Sequence, residues 1–402
     1  MKKLLSLFIM LLVFASCKNE SENYVDIRGE EFSGSESCIQ CHQNISEISM
    51  QNSHFKASMP GIKENLLGDF DKDKDAFVYN PNLKLKMHEQ NDSLYQVVYY
   101  NDKIVEFHPF DIVFGTKHAQ TSMFWKDEKA FELPISYYKS TNGWATSPGF
   151  DSKNPFFGRQ VLKDCFSCHS SNIKSPQPKG ASVGQEYGSS EISGKLDRNS
   201  IVYGIDCERC HGPAKKHVQY HLKFPKATTS KFIVTHFSLN NQQKLDRCAV
   251  CHSGNQDIKL KSRFDFRPGD SLSNFYLNKN KTLKDASFDV HGNQAELLKQ
   301  SMCFKKNNAL NCVTCHNPHT NAEKSTEYYS NICINCHQES SKVFCKSKSV
   351  NKKNCIDCHM PKQNSKAIRF TVSGNDKTQF YSLKTHKIGI YKTKNSINTM
   401  KN

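Results

Sequence analysis

Beyond its first 16 residues the chain has no apolar run of the roughly 18 or more residues that a membrane-spanning helix needs. Tryptophan is scarce, with two in 402 residues, and 13 prolines and 19 glycines are too few for a collagen-like or low-complexity chain. Acids are in short supply too: 39 Asp and Glu face 55 Lys and Arg, a net charge of +16. No helix-turn-helix, finger or basic-aromatic repeat accompanies that charge, so nucleic acid is excluded as an expected partner. The rest of the composition, 37% apolar and 11% aromatic, is that of a folded chain with one large domain or two or three smaller ones. What the chain has in excess is cysteine and histidine, 17 of each.

The start of the chain reads as a targeting segment. Lys2 and Lys3 form a short basic region, Leu4 to Phe14 is apolar apart from Ser6, and Ala15-Ser16 are small residues before Cys17. This is similar to a bacterial lipoprotein signal, in which the cysteine becomes the acylated first residue. A simple signal peptide with an incidental cysteine is the alternative. Either implies export, to a compartment that permits covalent cysteine chemistry. The polar stretch that follows, 17–34, is expected to be a flexible tether.

Fourteen cysteines fall into seven identical Cys-x-x-Cys-His words. They are Cys38/Cys41/His42, Cys165/Cys168/His169, Cys207/Cys210/His211, Cys248/Cys251/His252, Cys312/Cys315/His316, Cys333/Cys336/His337 and Cys355/Cys358/His359. On a helical turn, positions i, i+3 and i+4 share one face. Two thiols so placed reach the two vinyl groups on one edge of a porphyrin, and the imidazole stands over the ring as the iron's proximal ligand. Structural zinc would leave each triplet one ligand short. Disulfides would give no reason for a histidine seven times at one offset. The expected cofactor is therefore heme c, seven copies, covalently attached. The charge follows: loss of Lys2 and Lys3 lowers +16 to +14, and seven haems carry 14 propionates.

Ten histidines lie outside the motifs: His54, His88, His108, His118, His217, His221, His236, His291, His319 and His386. Ten for seven distal positions fits mostly bis-histidine irons, closed to substrates and suited to electron transfer. His319 and His217 follow their nearest motif histidines too closely to reach across the same ring, so each is expected to serve a neighbouring haem. His88 and His108 sit in strand-like sequence and are weaker candidates. Methionines 59, 87, 123, 302 and 360 are more often core filler than ligands. Cys303 and Cys345 remain, as a disulfide, as two buried free thiols or as a thiolate ligand on a haem.

The expected fold is mainly α with extensive irregular loops organised around covalent haems, and a small antiparallel β meander inserted after the first haem. Phe77 to Tyr79, Leu83 to Met87, Leu94 to Tyr100 and Lys103 to Phe107 are short, apolar or alternating, with Asn91-Asp92-Ser93 and Asn101-Asp102 as turns. Phe110 to Phe114 and Lys129 to Leu133 continue the pattern. Helices are expected at Lys215 to Leu222, Asn241 to Val250 and Gln294 to Cys303, and a Gly/Ser-rich surface loop at 170–200. The domains would be 1–16 signal peptide, 17–34 tether, 35–164 first-haem segment with its β-rich insertion, and 165–402 a six-haem domain.

Several phrases around the motifs resemble the multihaem cytochromes related to cytochrome c-554, a set akin to hydroxylamine oxidoreductase and pentahaem nitrite reductase. They are Ser53-His54-Phe55-Lys56-Ala57-Ser58-Met59, Phe114-Gly115-Thr116-Lys117-His118-Ala119-Gln120, and Gly204-Ile205-Asp206-Cys207-Glu208-Arg209-Cys210-His211-Gly212-Pro213 leading to His217. Asn317-Pro318-His319 after His316 and Met360-Pro361 after His359 belong with them. The resemblance covers most of the chain after its leader. It implies His54, His118, His217, His291, His319 and His386 as distal ligands, six for seven irons. His236, His221 or His108 would close the seventh, or that iron stays open. Catalytic relatives often carry lysine in place of the motif histidine at the active haem, and no Cys-x-x-Cys-Lys word occurs here.

Together these readings imply an exported electron carrier with no catalytic residues beyond its ligands. Its expected partners are other cytochromes or a quinol-linked membrane complex, and the membrane itself through a lipid on Cys17. The expected location is periplasmic or outer-membrane, open to surface exposure, in a Gram-negative bacterium. The alternative is an oxidoreductase with one open haem acting on a small nitrogen or sulfur compound. Intact-mass spectrometry of the exported protein should show seven haem additions; fewer than six would overturn the motif reading.

Overall fold

The computed structural model describes residues 25–70, 74–176, 194–254, 258–277, 288–307, 309–321, 325–338, 354–375 and 377–391. The leader, Cys17 and Cys345 lie outside the described residues, and with them the lipid-anchor and Cys303–Cys345 expectations. None of the described helices is long and apolar enough to cross a membrane.

The elements begin with two short helices, α1 (Ser35–Ile39) and α2 (Gln43–Ser49). Eleven strands follow: β1 (Ser58–Pro60), β2 (Ala76–Asn80), β3 (Leu83–Gln90), β4 (Ser93–Tyr100), β5 (Lys103–Pro109), β6 (Ile112–Phe114), β7 (Ala119–Lys126), β8 (Lys129–Glu132), β9 (Ile135–Tyr138), β10 (Gly143–Thr146) and β11 (Gln160–Val161). Helix α3 (Lys163–His169) runs into β12 (Ser170–Lys174), which pairs with β13 (Asp197–Tyr203). Then come α4 (Cys207–His211), α5 (Lys215–Lys223), α6 (Asn241–His252), the two-residue pair β14 (Ile258–Lys259) and β15 (Tyr276–Leu277), α7 (Gln294–Lys299), α8 (Met302–Lys306), α9 (Thr326–Cys336) and α10 (Cys355–His359). A hairpin of β16 (Lys362–Thr371) and β17 (Thr378–Lys384) ends the order.

The expectation of a mainly α chain is corrected: 27% is helix and 29% strand. Two antiparallel sheets account for most of the difference. One is four-stranded, β2-β3-β4-β5; the other has seven strands, β1-β6-β7-β8-β11 with β9 and β10 attached through β7. In the first, Asn91-Asp92 and Asn101-Asp102 both have positive φ at two successive residues, the geometry of the tight hairpin turn that matches strand twist. Phe77, Leu85, Met87, Leu94, Val98, Phe110, Phe124, Leu133, Ile135 and Trp144 are buried together as the core of this region. The 170–200 stretch is not simply a loop, since its ends form the β12–β13 ladder.

The β unit fixes the segment that follows the first motif. β1 pairs with β6, Gly115 donates to the Ala57 carbonyl, and Ser58 Oγ bonds Ser170 Oγ at 2.8 Å and accepts from the Gly204 amide at 2.9 Å. Ile205 N donates to the His54 carbonyl at 2.8 Å. Gly204 holds φ +65, and a Cβ there would lie 1.8 Å from the Phe55 carbonyl oxygen. Only glycine combines that φ with so close an approach. Gly204→Ala should therefore cost at least about 2–3 kcal/mol, read by chemical denaturation followed with far-UV circular dichroism; unchanged stability would mean the two backbones do not meet there.

Candidate functional site

Each of the seven motifs starts in, or lies within, a helical turn. His42 N, His316 N and His337 N each donate to the carbonyl of the first cysteine of their own word, at 2.9–3.0 Å. Three of the turns are capped by the residue before the first cysteine: Asp206 accepts from Arg209 N, Asn311 from Val313 N and Asn354 from Asp357 N. The caps hold both thiols and the imidazole on one face. Every described cysteine is a free thiol. Among the described residues no three His, Cys, Asp or Glu side chains converge as a metal-holding group, as structural zinc would require.

The arrangement of the histidines is the informative feature. His42 faces His217 with ring centroids 6.5 Å apart, His54 faces His252 at 6.2 Å, His211 faces His319 at 6.0 Å and His316 faces His386 at 6.1 Å. Each pair joins one motif histidine to one outside the motifs. Two imidazoles bound on opposite sides of one metal ion, with metal–nitrogen bonds of about 2.0–2.1 Å, place their centroids about 6.4 Å apart. Directly stacked rings would stand much closer. The pairs are thus spaced as two imidazoles sharing one metal ion would be, and each motif histidine among them follows two thiols of its own word.

Hydrogen bonds to the second ring nitrogen orient these imidazoles. His211 Nδ1 donates to the Val234 carbonyl, His217 Nδ1 to the Lys231 carbonyl and His359 Nδ1 to the Gly389 carbonyl, each at 2.8 Å. His252 Nδ1 faces Gln294 Oε1 at 3.3 Å and His169 Nδ1 the Ala57 carbonyl at 3.4 Å. A carbonyl can only accept, so the Nδ1 proton is fixed and Nε2 keeps its lone pair. Burial, the largest cause in each case, pulls His54, His169 and His386 down to about 4. They are neutral at physiological pH, the form that binds metal.

The remaining candidates are placed as follows. His291 lies near enough to His169 to add to the depression that burial causes there. His118 sits beside Tyr381, 5.7 Å between centroids. His88 bonds the Tyr99 hydroxyl. His108 bonds Glu106 and packs between the Phe124 and Phe157 rings. Both belong to the four-stranded sheet. His221 lies 4.6 Å from His217, and His236 beside Phe237. Met59, Met87 and Met123 are buried core residues.

Thiols of different motifs also meet: Cys38 with Cys207, Cys168 with Cys251 and Cys248 with Cys312. Helices α9 and α10 pack together, with Cys355 N bonded to Ser330 Oγ. These contacts join the first motif to the third, the second and fifth to the fourth, and the sixth to the seventh.

A feature invisible in the motif pattern secures the first and third words to each other. Arg28 is buried, with its guanidinium on Asp26 at 2.8 Å, Asp206 at 2.8 Å and Glu208 at 2.6 Å. Glu208 accepts further bonds from the amides of Ser33, Gly34 and Ala214. Burial works to raise Asp26, yet its bonds to Arg28 hold it below the usual carboxylate range. One cation thus serves three buried acids, two of them flanking Cys207.

No family model matches the chain, and no curated protein matches it. In fold it is similar to a solved cytochrome, over 84% of this chain and 78% of the other, with a TM-score of 0.53 and 16% identity. That structure is the crystal structure of the outer cell wall cytochrome OcwA. At this identity the likeness is one of fold.

Arg28→Met would leave three buried carboxylates without their cation, at a cost of about 3–5 kcal/mol. Unpaired acids bind protons more readily, so the deficit should be largest at neutral pH and narrow as pH falls. Denaturant titrations of both proteins at several pH values would show this; a pH-independent deficit would reject the ion-pair account.

Proposed function

We propose that the chain is an exported multihaem c-type cytochrome that carries electrons between redox partners through seven covalently held haems. The observation that carries this reading is the set of four motif histidines, each facing a non-motif histidine at 6.0–6.5 Å. The fourteen motif cysteines, Cys38, Cys41, Cys165, Cys168, Cys207, Cys210, Cys248, Cys251, Cys312, Cys315, Cys333, Cys336, Cys355 and Cys358, would hold the porphyrins by thioether bonds. His42, His169, His211, His252, His316, His337 and His359 would be proximal ligands, and His54, His118, His217, His291, His319 and His386 distal ones. When bound, the haem supplies a one-electron couple at iron.

The chain's own residues do the rest. The carbonyls of Lys231, Val234 and Gly389 fix imidazole tautomer and direction, which sets ligand basicity. Two facing imidazoles would leave a metal held between them no open side for water or small substrates. Pairing across motifs ties neighbouring sites at short range, which is what electron relay needs. The segment 35–164 would form a first-haem unit with a β scaffold, 165–402 a six-haem unit, and 17–34 would link a lipid on Cys17 to the fold, with Arg28, Ser33 and Gly34 already fastened to Asp206 and Glu208. Such an anchor suits a periplasmic or outer-membrane carrier served by other cytochromes or a quinol-linked complex.

Ligand geometry supplies the test. Near-parallel imidazole planes, 13° and 9° for His42/His217 and His211/His319, split the iron d orbitals more strongly than the 85° pair His54/His252. Low-temperature EPR of the oxidised protein, with spins counted against a haemochrome assay, should show low-spin iron throughout, the seventh iron being closed by His236, His221 or His108. His54→Ala should remove one highly anisotropic low-spin signal and add one high-spin iron in seven. About one high-spin iron in seven in the unmodified protein would instead mark an open haem and overturn the pure carrier reading.

A further inference from the structure

The longest acid-free stretch near the motifs runs from Gly212 to Leu245, and it carries six lysines, at 215, 216, 223, 226, 231 and 244. Elsewhere Lys63, Lys84, Lys86, Lys195, Lys259, Lys299 and Lys384 pair with acids. Among the described residues none of the six is in an ion pair. The acids that reach this stretch are engaged elsewhere than with its lysine ammoniums: Glu208 bonds Arg28 and the Ala214 amide, Asp246 accepts from Gln242, and Glu31 accepts the Lys215 amide on its backbone carbonyl and gives its carboxylate to Arg267.

The same stretch exposes large apolar side chains. Helix α5 has no buried residue, and Leu222 is 66%, Phe232 59% and Phe237 93% exposed. They are held in place, not loose. Tyr220 packs on Phe224 and Phe232, with centroids 5.0 and 5.9 Å apart. Lys231 stands over the Tyr220 ring and Lys223 over Phe224. Thr235 and Ser238 lock the turn that presents Phe237 by reciprocal hydroxyl bonds. Phe232 has φ +58, and the other non-glycine residues with positive φ are all Asn or Asp. A bulky side chain in that region is strained backbone, here kept for a residue that burial does not reward.

This surface sits over one histidine pair. Tyr220 contacts His221, His221 lies 4.6 Å from His217, and His217 faces His42. The Lys231 carbonyl that orients His217 and the Val234 carbonyl that orients His211 both belong to the exposed loop. We propose that Tyr220, Phe224, Phe232 and Phe237, ringed by Lys223, Lys226 and Lys231, form the docking surface for an acidic-faced one-electron carrier protein that exchanges electrons with the His42/His217 haem. The proposal rests on the haem reading above. An aromatic centre with a charged rim is the anatomy of a transient protein interface, and an unpaired lysine rim steers an acidic partner toward it. In the exchange, the anionic flavin hydroquinone of such a carrier loses one electron to become the neutral semiquinone, and ferric iron becomes ferrous; no proton moves.

Stopped-flow mixing of the oxidised, full-length, haem-loaded protein with reduced flavodoxin, an acidic flavoprotein, tests this. Lys223→Glu/Lys226→Glu/Lys231→Glu should slow reduction at least about tenfold at low ionic strength and flatten its salt dependence. The matched reversal Lys103→Glu/Lys126→Glu/Lys129→Glu on the β sheets should leave the rate within about twofold. Phe237→Ser should slow reduction while keeping the salt dependence. Equal slowing by both triple variants, or no slowing by the first, overturns the docking surface. Haem counts on the same samples separate the two failures: an unmodified protein without its haems overturns the haem reading and this proposal together, whereas full loading with indifferent rates overturns the docking surface alone.

Discussion

A centroid separation near 6 Å between two imidazoles is the constraint on which the rest of this molecule depends. It is wider than two rings stacked face to face and matches two imidazoles on one shared metal, and each pair is drawn from distant parts of the chain: 42 with 217, 54 with 252, 211 with 319, 316 with 386. Side chains of this kind act as tertiary struts. Segments such as α5 and α8 have no buried residue of their own and, on the proposed reading, would be held by the ligand pairs beside them.

The β sheets and the buried Arg28 cluster serve the same constraint from outside. The sheets give the chain its largest apolar core, beside which the motif-bearing half has smaller buried clusters around Val250 and Phe266 and around Leu245 and Ala249. Through Ser58, Gly204 and Ile205 they place His54 where it meets His252. Arg28, Asp206 and Glu208 lock motif one to motif three, so that Cys38 and Cys207 touch. A single buried cation among three acids is a costly arrangement if broken, and so a specific one.

The seven motifs and the ten other histidines could be read directly from the sequence, because the Cys-x-x-Cys-His word is a fixed local spacing. Which histidine faces which could not, since that is a property of the tertiary arrangement. The carbonyls of Lys231, Val234 and Gly389 have no side-chain signature at all. Much of the strand content was equally hidden. β9, Ile-Ser-Tyr-Tyr, is buried at all four positions and shows no alternation, and β16, Lys-Gln-Asn-Ser-Lys-Ala-Ile-Arg-Phe-Thr, reads as polar loop. The hairpins of the four-stranded sheet were legible because Asn-Asp turns punctuate them.

The cross-chain pairing also bears on how the protein is made. A chain threaded out N-terminus first exposes Cys38, Cys41 and His42 long before His217 arrives, and His54 long before His252. On the proposed reading, early sites must wait half-coordinated while later segments emerge, and the last of the four pairs closes only when His386 has cleared the exporter. Maturation would then be ordered by the sequence itself, and a chain truncated before His386 would lose the partner of His316, a motif histidine 70 residues earlier in the chain.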